Sequence, residues 1–184
     1  MIKKRTFGSE LDISIKLNEI FVNTCISLSI TPVMKHIPGH GLSSKDSHLS
    51  LPTVCSSLKK LQDQLKLFYH FRHLPYAMTA HIRYDKWDKE NMATYSKKII
   101  QNIIRQEIKF NGLIMSDDMT MKANQYGINE SIIKCNQAGV DIFLDCSSDW
   151  ERYLEVIKSF QVTNRYKNSL KIKKAKRKID PKSI

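Results

Sequence analysis

The sequence lacks the long apolar runs that membrane-spanning helices require. No stretch of its 184 residues reaches the ~18–20 consecutive apolar residues that such a helix needs. The amino terminus, MIKKRTFGSELDIS, starts with basic residues but has no apolar region behind them, so we expect no secretory signal. With 41% hydrophobic and 26% charged residues, the composition is typical of a chain with a packed core, and the length predicts one domain.

Cysteine is sparse as well, and no CxxC pair is present. The four cysteines are Cys25, Cys55, Cys135 and Cys146. Their wide separation predicts reduced, mostly buried thiols in a cytoplasmic protein. It argues against a disulfide scaffold and against a zinc site built on paired thiolates.

Acidic residues are almost missing from the end of the chain. Residues 165–184 hold nine of the 30 Lys and Arg but one of the 18 Asp and Glu, so most of the +12 net charge lies in a tail. Tyr166 is its one aromatic residue. We interpret residues 164–184 as a solvated basic tail after a domain of residues 1–163, with no specific nucleic-acid binding and no membrane insertion. Salt-sensitive attachment to nucleic acid or to an anionic membrane is the alternative.

Short apolar runs alternate with helical patterns through the rest of the chain. Runs at 31–36, 77–82, 112–117 and 141–146 are typical of strands buried on both faces. Apolar residues at helical spacing predict helices over 10–28, 58–71, 95–108 and 149–160, and a short one near Ile132 that Gly139 ends. This alternation predicts an α/β fold with parallel strands and right-handed crossovers, as an open sheet or a barrel.

Polar residues collect where the predicted strands end, which is where parallel α/β proteins place their sites. Lys35 and His36 open a long loop, His81 ends the second strand, and Asp117 and Asp118 end the third. All six histidines lie between positions 36 and 81. We therefore expect the chemistry of the protein at this end of the sheet.

Asp46 and His48 form a candidate proton-transfer pair in the loop after the first strand. Residues two apart in an extended segment project to the same side. The carboxylate can then fix the imidazole tautomer and favour the protonated ring, which gives a proton donor and acceptor near neutral pH. From these two residues alone, an incidental surface pair remains the alternative.

Asp117 follows a wholly apolar run, so rigid backbone holds its carboxylate and partly desolvates it. Such a group suits a nucleophile, a metal ligand or a structural cap. We assign the capping role to Asp118, because residues 119–123 have a helical pattern. Lys35 and His36 suit the hydroxyl or acetamido oxygens of a sugar, or phosphate oxygens.

The histidine spacing gives little support for a metal centre. His36, His40 and His48 contain no HExxH pattern and have no paired thiolates beside them. We expect no metal in this site.

Taken as an ordered set, several segments resemble glycoside hydrolase family 3, and within it the bacterial β-N-acetylglucosaminidase (β-N-acetylhexosaminidase) branch of peptidoglycan recycling. The segments are IKKRTFGSE (2–10), KHIPGHG (35–41), DSHLSLP (46–52), MTAHI (78–82), ATYS (93–96), FNGLIMSDDMTMKA (110–123) and AGVDIFLDC (138–146). The resemblance implies the C-terminal half of a TIM-type (β/α)₈ barrel, with about four parallel strands and flanking helices.

The same resemblance implies retaining hydrolysis of a terminal β-linked N-acetylglucosamine, in a muropeptide or oligosaccharide, without a cofactor. Asp117 would be the nucleophile that forms an aspartyl glycosyl-enzyme. His48 would be the general acid and base, oriented by Asp46. The residues that would hold the sugar ring are Arg5, Lys35 and His36.

Two positions and the length depart from the family pattern. Lys3 replaces a glycine, and Leu42 stands where members commonly have aspartate. A complete barrel of this type needs ~250 residues, so we expect the N-terminal half to be missing from this sequence. Four strands alone leave two open sheet edges and an uncovered inner face.

The length leaves several interpretations open. A second chain, either another copy or a separately encoded N-terminal half, would complete the barrel of a working glycosidase. The alternatives are a catalytically inactive fragment, a family 3 β-glucosidase, and an unrelated module that binds nucleic acid through its tail. The Asp46–His48 pair argues against the β-glucosidase, because those enzymes draw their acid from elsewhere.

Overall fold

A computed structural model of the chain describes residues 6–43, 47 and 49–163. The strands of this part are β1 (Val33–Ile37), β2 (Thr53–Val54), β3 (Tyr76–Thr79), β4 (Arg83–Tyr84), β5 (Asp88–Met92), β6 (Leu113–Asp118) and β7 (Ile142–Leu144). The α-helices are α1 (Leu11–Ser27), α2 (Leu58–His70), α3 (Ile128–Ala138) and α4 (Trp150–Thr163). A 3-10 turn over Ala93–Tyr95 precedes a π-helix over Ile99–Glu107.

Four parallel strands form the central sheet in the order β1-β3-β6-β7. Helices connect successive strands of the sheet, as parallel pairing requires. The predicted α/β class, with about four parallel strands and flanking helices, is confirmed. Because all four strands run the same way, their carboxyl ends meet at one edge of the molecule.

Local sequence explains where several helices begin and end. Ser57 precedes α2, and its hydroxyl accepts a hydrogen bond from the Lys60 amide at 3.4 Å. Gly139 follows α3 at φ 102°, the left-handed conformation that glycine adopts most easily. Asp149 accepts bonds from the amides of Glu151 and Arg152 at the start of α4.

The main core lies between the central sheet and the helices that cover it. Ile99, Ile100, Ile103 and Ile104 of the π-helix are buried there. Strand residues such as Ile114, which is fully buried, complete this core. The isoleucine stripe in the sequence therefore marks a helix face that packs on the sheet.

Two local expectations from the sequence were wrong, and one small sheet was not predicted. Residues 119–123 form turns and not a helix. Cys135 is the only buried cysteine of the four, because Cys55 and Cys146 are exposed and Cys25 is intermediate. A small sheet, β2-β4-β5, was not predicted, since its strands of two to five residues are too short for a periodic pattern.

The α1 helix is covered on a narrow stripe only. Ser14 and Val22 are its buried residues. Its apolar side chains at Ile20 and Phe21 are 64% and 56% exposed. An apolar helix face left open in this way is typical of a surface that packs against further polypeptide.

Candidate active site

The carboxyl ends of β1 and β6 bring His36 and Asp117 together, although β3 lies between these strands. The distance from His36 Nε2 to Asp117 Oδ2 is 3.6 Å. Their side chains are 16% and 13% exposed, so both are largely shielded from water and still reachable. The structure thus pairs a cation-forming ring with a carboxylate at the predicted end of the sheet.

Asp117 is oriented by the backbone that follows it. Its Oδ1 accepts a hydrogen bond from the Asp118 amide at 2.9 Å. Its Oδ2 is the oxygen nearest His36. The two oxygens of this carboxylate therefore have different neighbours, which fixes the plane of the group.

Asp118 has a different environment from its neighbour. Its carboxylate accepts bonds from the Thr120 amide at 3.0 Å, the Thr120 hydroxyl at 2.6 Å and the Cys146 amide at 3.1 Å. Burial alone would raise the pKa of Asp118, but these hydrogen bonds outweigh burial and hold the pKa below its usual value. These bonds hold the turn after β6 and link it to the segment after β7. The role of Asp118 is therefore structural.

Cys146 lies beside these carboxylates, and slight burial of its sulfur together with the Asp118 charge raises the pKa of its thiol. The thiol form is therefore favoured over the thiolate. We assign Cys146 no part in the chemistry.

Lys35 lies on β1, and His40 lies in the loop after it. Lys35 is exposed in the middle of β1. The rings of His36 and His40 lie 5.6 Å apart in an edge-to-face arrangement. Lys35 and His36, two of the sequence-predicted sugar-binding residues, thus both lie on β1, but only His36 has a described contact with Asp117.

The start of the loop after β1 is held in a defined turn. The Gly39 amide donates to the His36 carbonyl at 2.8 Å, and the fully buried Tyr84 donates its hydroxyl to the Gly39 carbonyl. Gly39 has a φ of 137°, and a Cβ there would lie 2.3 Å from Gln64 Oε1. Only glycine fits this position, because both the backbone angle and the neighbouring side chain exclude a Cβ.

Three of the predicted site residues lie outside the described part of the chain. They are Arg5, Asp46 and His48. Their assignments remain predictions, and so does the assignment of the tail at 164–184.

Sequence reasoning did not identify a buried polar cluster behind Asp117. His81 is fully buried, and its Nδ1 lies 2.8 Å from the Thr94 hydroxyl. Thr94 also lies 2.8 Å from the Thr79 hydroxyl. The signal was available, since His81 ends an otherwise apolar run, but Thr94 is distant in sequence and nothing links it to His81 before folding.

Among the described residues, no group of three or more His, Cys, Asp or Glu side chains is arranged to hold a metal ion. Within the same residues, no helix is long and apolar enough to cross a membrane.

Comparison with known proteins gives consistent matches. Residues 1–179 match the model of the glycosyl hydrolase family 3 N terminal domain. A beta-hexosaminidase of Hydrogenovibrio crunogenus is 34% identical over 154 residues, which are 80% of this chain and 42% of that protein. A beta-hexosaminidase of Psychromonas ingrahamii is 30% identical, over 80% of this chain and 45% of that protein. The chain thus spans less than half the length of these relatives.

Solved structures resemble the fold closely. A family 3 beta-N-acetylglucosaminidase from Paenibacillus sp. str. FPU-7 matches with a TM-score of 0.81 and 25% identity, over 95% of this chain and 35% of that one. Zinc-bound CbsA from Thermotoga neapolitana matches with a TM-score of 0.79 and 29% identity, over 98% of this chain and 40% of that one. The family model covers nearly the whole chain, and the four-stranded sheet carries Asp117 at a strand end, so the chain belongs to glycosyl hydrolase family 3.

Proposed function

We propose that this chain carries the catalytic residues of a retaining β-N-acetylhexosaminidase. The observation that supports the proposal is the carboxylate of Asp117, held at the end of β6, largely buried and 3.6 Å from His36. The likeness to a solved beta-N-acetylglucosaminidase supports N-acetylglucosamine as the sugar. A terminal β-linked N-acetylglucosamine is therefore the proposed substrate.

The proposed reaction proceeds in two steps. In the first, Asp117 attacks the anomeric carbon, the glycosidic C–O bond breaks, and protonated His48 gives its proton to the leaving oxygen. In the second, neutral His48 takes a proton from water, which attacks the anomeric carbon and releases Asp117. Asp46 keeps the His48 ring in the required orientation. The first step leaves His48 neutral, as the second step requires, and the second step returns it to the protonated form.

His36 supports this chemistry from the neighbouring strand end. Its Nε2 lies 3.6 Å from Asp117 Oδ2, so a sugar attacked by Asp117 would lie within its reach. A hydrogen bond from His36 to the sugar would place the anomeric carbon in line with the attacking oxygen. Lys35 and Arg5 complete the proposed set of sugar-binding residues.

The proposed active unit needs more strands than the described sheet contains. β1 and β7 lie at the two edges of that sheet. The helix α1, which precedes β1 in the sequence, exposes apolar side chains. Further parallel strands, supplied by another polypeptide, would satisfy both edges and enclose the sugar. A second chain that completes the barrel is therefore part of the proposal.

The cysteines bear on the cell compartment in which the proposed reaction takes place. All four cysteines are free thiols, as expected in a reducing compartment. This supports a cytoplasmic location, where muropeptides taken up from the cell wall would be substrates in peptidoglycan recycling.

The test is hydrolysis of an aryl β-N-acetylglucosaminide by the full chain, alone and with a polypeptide that supplies the missing strands. We expect turnover that Asp117→Asn lowers by about a thousandfold or more, since it removes the nucleophile. Asp118→Asn is the matched control and should retain measurable activity, because Asp118 bonds to backbone rather than to substrate.

Trapping of the intermediate adds a second criterion. A fluorinated substrate that slows deglycosylation should add one sugar mass to the peptide containing Asp117. Turnover that Asp117→Asn leaves intact would contradict the mechanism. Sugar binding without turnover, with and without added strands, would identify an inactive fragment.

A further inference from the structure

We propose that His81 is a positioning residue for the nucleophile: it holds the Asp118 carbonyl and thereby fixes the backbone amide that binds Asp117. The inference rests on the proposed function, in which Asp117 attacks the sugar. His81 lies behind the carboxylate, in the segment that leaves β3, and it is fully buried.

Both nitrogens of the His81 ring have defined partners. Nε2 lies 3.2 Å from the Asp118 carbonyl oxygen, and Nδ1 lies 2.8 Å from the Thr94 hydroxyl. A carbonyl oxygen can only accept a hydrogen bond, so Nε2 must carry a proton. In the neutral ring Nδ1 is then the acceptor, and the Thr94 hydroxyl donates to it.

The hydroxyl of Thr79 fixes the direction of the remaining bond. Thr79 lies 2.8 Å from Thr94 Oγ1, and either hydroxyl could donate. Thr94 Oγ1 also lies 3.4 Å from the Ala80 carbonyl oxygen, and its single proton goes to the nearer acceptor, His81 Nδ1 at 2.8 Å. Thr79 is then the donor to Thr94. The bonds then run in one direction, from Thr79 through Thr94 and His81 to the Asp118 carbonyl. Such a chain of aligned bonds is mutually strengthening in a buried site.

The Asp118 backbone connects this chain to the nucleophile. Its carbonyl accepts from His81, and its amide donates to Asp117 Oδ1 at 2.9 Å. The same peptide group is also held by the Met119 amide, which donates to the Leu144 carbonyl at 2.9 Å. Release of the Asp118 carbonyl removes one of these two restraints, so the Asp118 backbone becomes looser and its amide constrains Asp117 less. His81 thus controls the orientation of the nucleophile although it does not touch the substrate.

The surroundings of His81 argue that the ring is present for its hydrogen bonds. The residues on either side, Ala80 and Ile82, are apolar and fully buried. An apolar side chain would fill the same space without the cost of burying polar atoms. The links between β6 and the β7 segment use other groups, since Ser116 accepts the Leu144 amide at 2.8 Å and the Met119 amide donates to the Leu144 carbonyl at 2.9 Å.

The kinetic test compares His81→Leu with His81→Gln in the full chain. If the wild type needs an added polypeptide for turnover, both variants are assayed with the same polypeptide. Leucine cannot donate, whereas glutamine can place an N–H near the position of Nε2. We expect His81→Leu to lower kcat by about 10–100-fold with little change in KM, because the substrate still binds while the nucleophile is misplaced. His81→Gln should recover most of the loss.

Hydrogen exchange provides a readout that does not depend on activity. The Asp118 amide should exchange at least about tenfold faster in His81→Leu than in the wild type, since the local opening becomes easier. It should be protected again in His81→Gln. The Leu144 amide, held by Ser116, is the matched control and should not change. If His81→Leu does not fold, Thr94→Val replaces it, because it removes the bond at Nδ1 and leaves His81 in place.

The two readouts separate the proposals. A wild type without turnover in any combination contradicts the proposed function, and exchange at Asp118 then decides the role of His81. An unchanged kcat in His81→Leu, an equal loss in His81→Gln, or unchanged exchange at Asp118 would each overturn the positioning role.

Discussion

At the scale of single residues, the site depends on positions that favour one residue type. Gly39 is the clearest, because its φ of 137° and the Gln64 side chain both exclude a Cβ. The turn it forms begins the loop after β1, to which Asp46 and His48 belong in the sequence. The two polar atoms of the Gln64 amide have no partner within the described residues, so this contact is one of shape and not of hydrogen bonding.

Gly39→Ala should therefore destabilise the fold. We expect a loss of about 1–3 kcal/mol in the free energy of unfolding, from backbone strain and the clash with Gln64. Gly41→Ala is the matched control, since a Cβ at Gly41 would meet nothing within 4 Å. Urea denaturation of both variants measures the difference, and equal stabilities would refute the steric argument.

At the scale of secondary-structure elements, Asp88 joins the β4–β5 hairpin to the π-helix. Its Oδ2 accepts from the Ser96 hydroxyl at 2.7 Å, and that hydroxyl accepts from the Ile99 amide at 3.0 Å. Burial alone would raise the pKa of Asp88, but bonds from Ser96 and from the amides of Glu90 and Asn91 outweigh it, and the pKa lies below its usual value.

The lowered pKa predicts a pH-dependent contribution to stability. The unfolded carboxyl titrates near its ordinary value of about 3.9. The folded group titrates lower, so its contribution is complete above that value and is lost as the pH falls through the folded pKa. We expect Asp88→Asn to cost about 1–2 kcal/mol at pH 7 and progressively less below about pH 4. Urea denaturation across pH measures this difference.

Asp85→Asn is the control for that experiment, because Asp85 lies in the same hairpin and its change of charge is identical. Its effect on the free energy of unfolding should be small at every pH. A difference between Asp88→Asn and the wild type that does not vary from pH 7 to pH 3 would contradict the assigned hydrogen bonds.

At the scale of the whole molecule, the described fold exposes sheet edges and an apolar helix face, which folded domains normally cover with further polypeptide. β1 and β7 present unpaired edges within the described sheet, and α1 exposes Ile20 and Phe21. Parallel sheets are usually covered on both faces, and exposed edges and apolar patches promote association. The chain on its own should therefore associate.

Replacing Ile20 and Phe21 together by glutamate tests this expectation. The wild-type chain should sediment as a concentration-dependent mixture of species, and the double variant should shift towards the monomer. Its free energy of unfolding should stay within about 0.5 kcal/mol of the wild type, since both side chains are already exposed. Lys16→Glu, a charge change on the exposed surface of α1, is the control. A wild type that is monomeric at every concentration would contradict the prediction.

Much of this fold was predictable because its signals are local. The apolar runs around Met34, Met78, Ile114 and Phe143 predicted the four strands of the central sheet. The isoleucine stripe predicted the helix that covers it. The ordered motifs also identified the family. The helix predicted over residues 119–123 was wrong because a local turn forms there instead. The Asp118 carboxylate accepts hydrogen bonds from the Thr120 amide and hydroxyl and closes that turn.

The sequence by itself determined the four strands of the central sheet and the helices between them, and that Asp117 ends a strand, since these depend on neighbours a few residues apart. Only the tertiary structure decided that His36 lies 3.6 Å from Asp117, and that Thr94 and His81 stand behind the Asp118 backbone. These contacts join residues from separate strands and turns. Their distances are set by the parallel register of the sheet and by packing against the helices, which no local pattern contains.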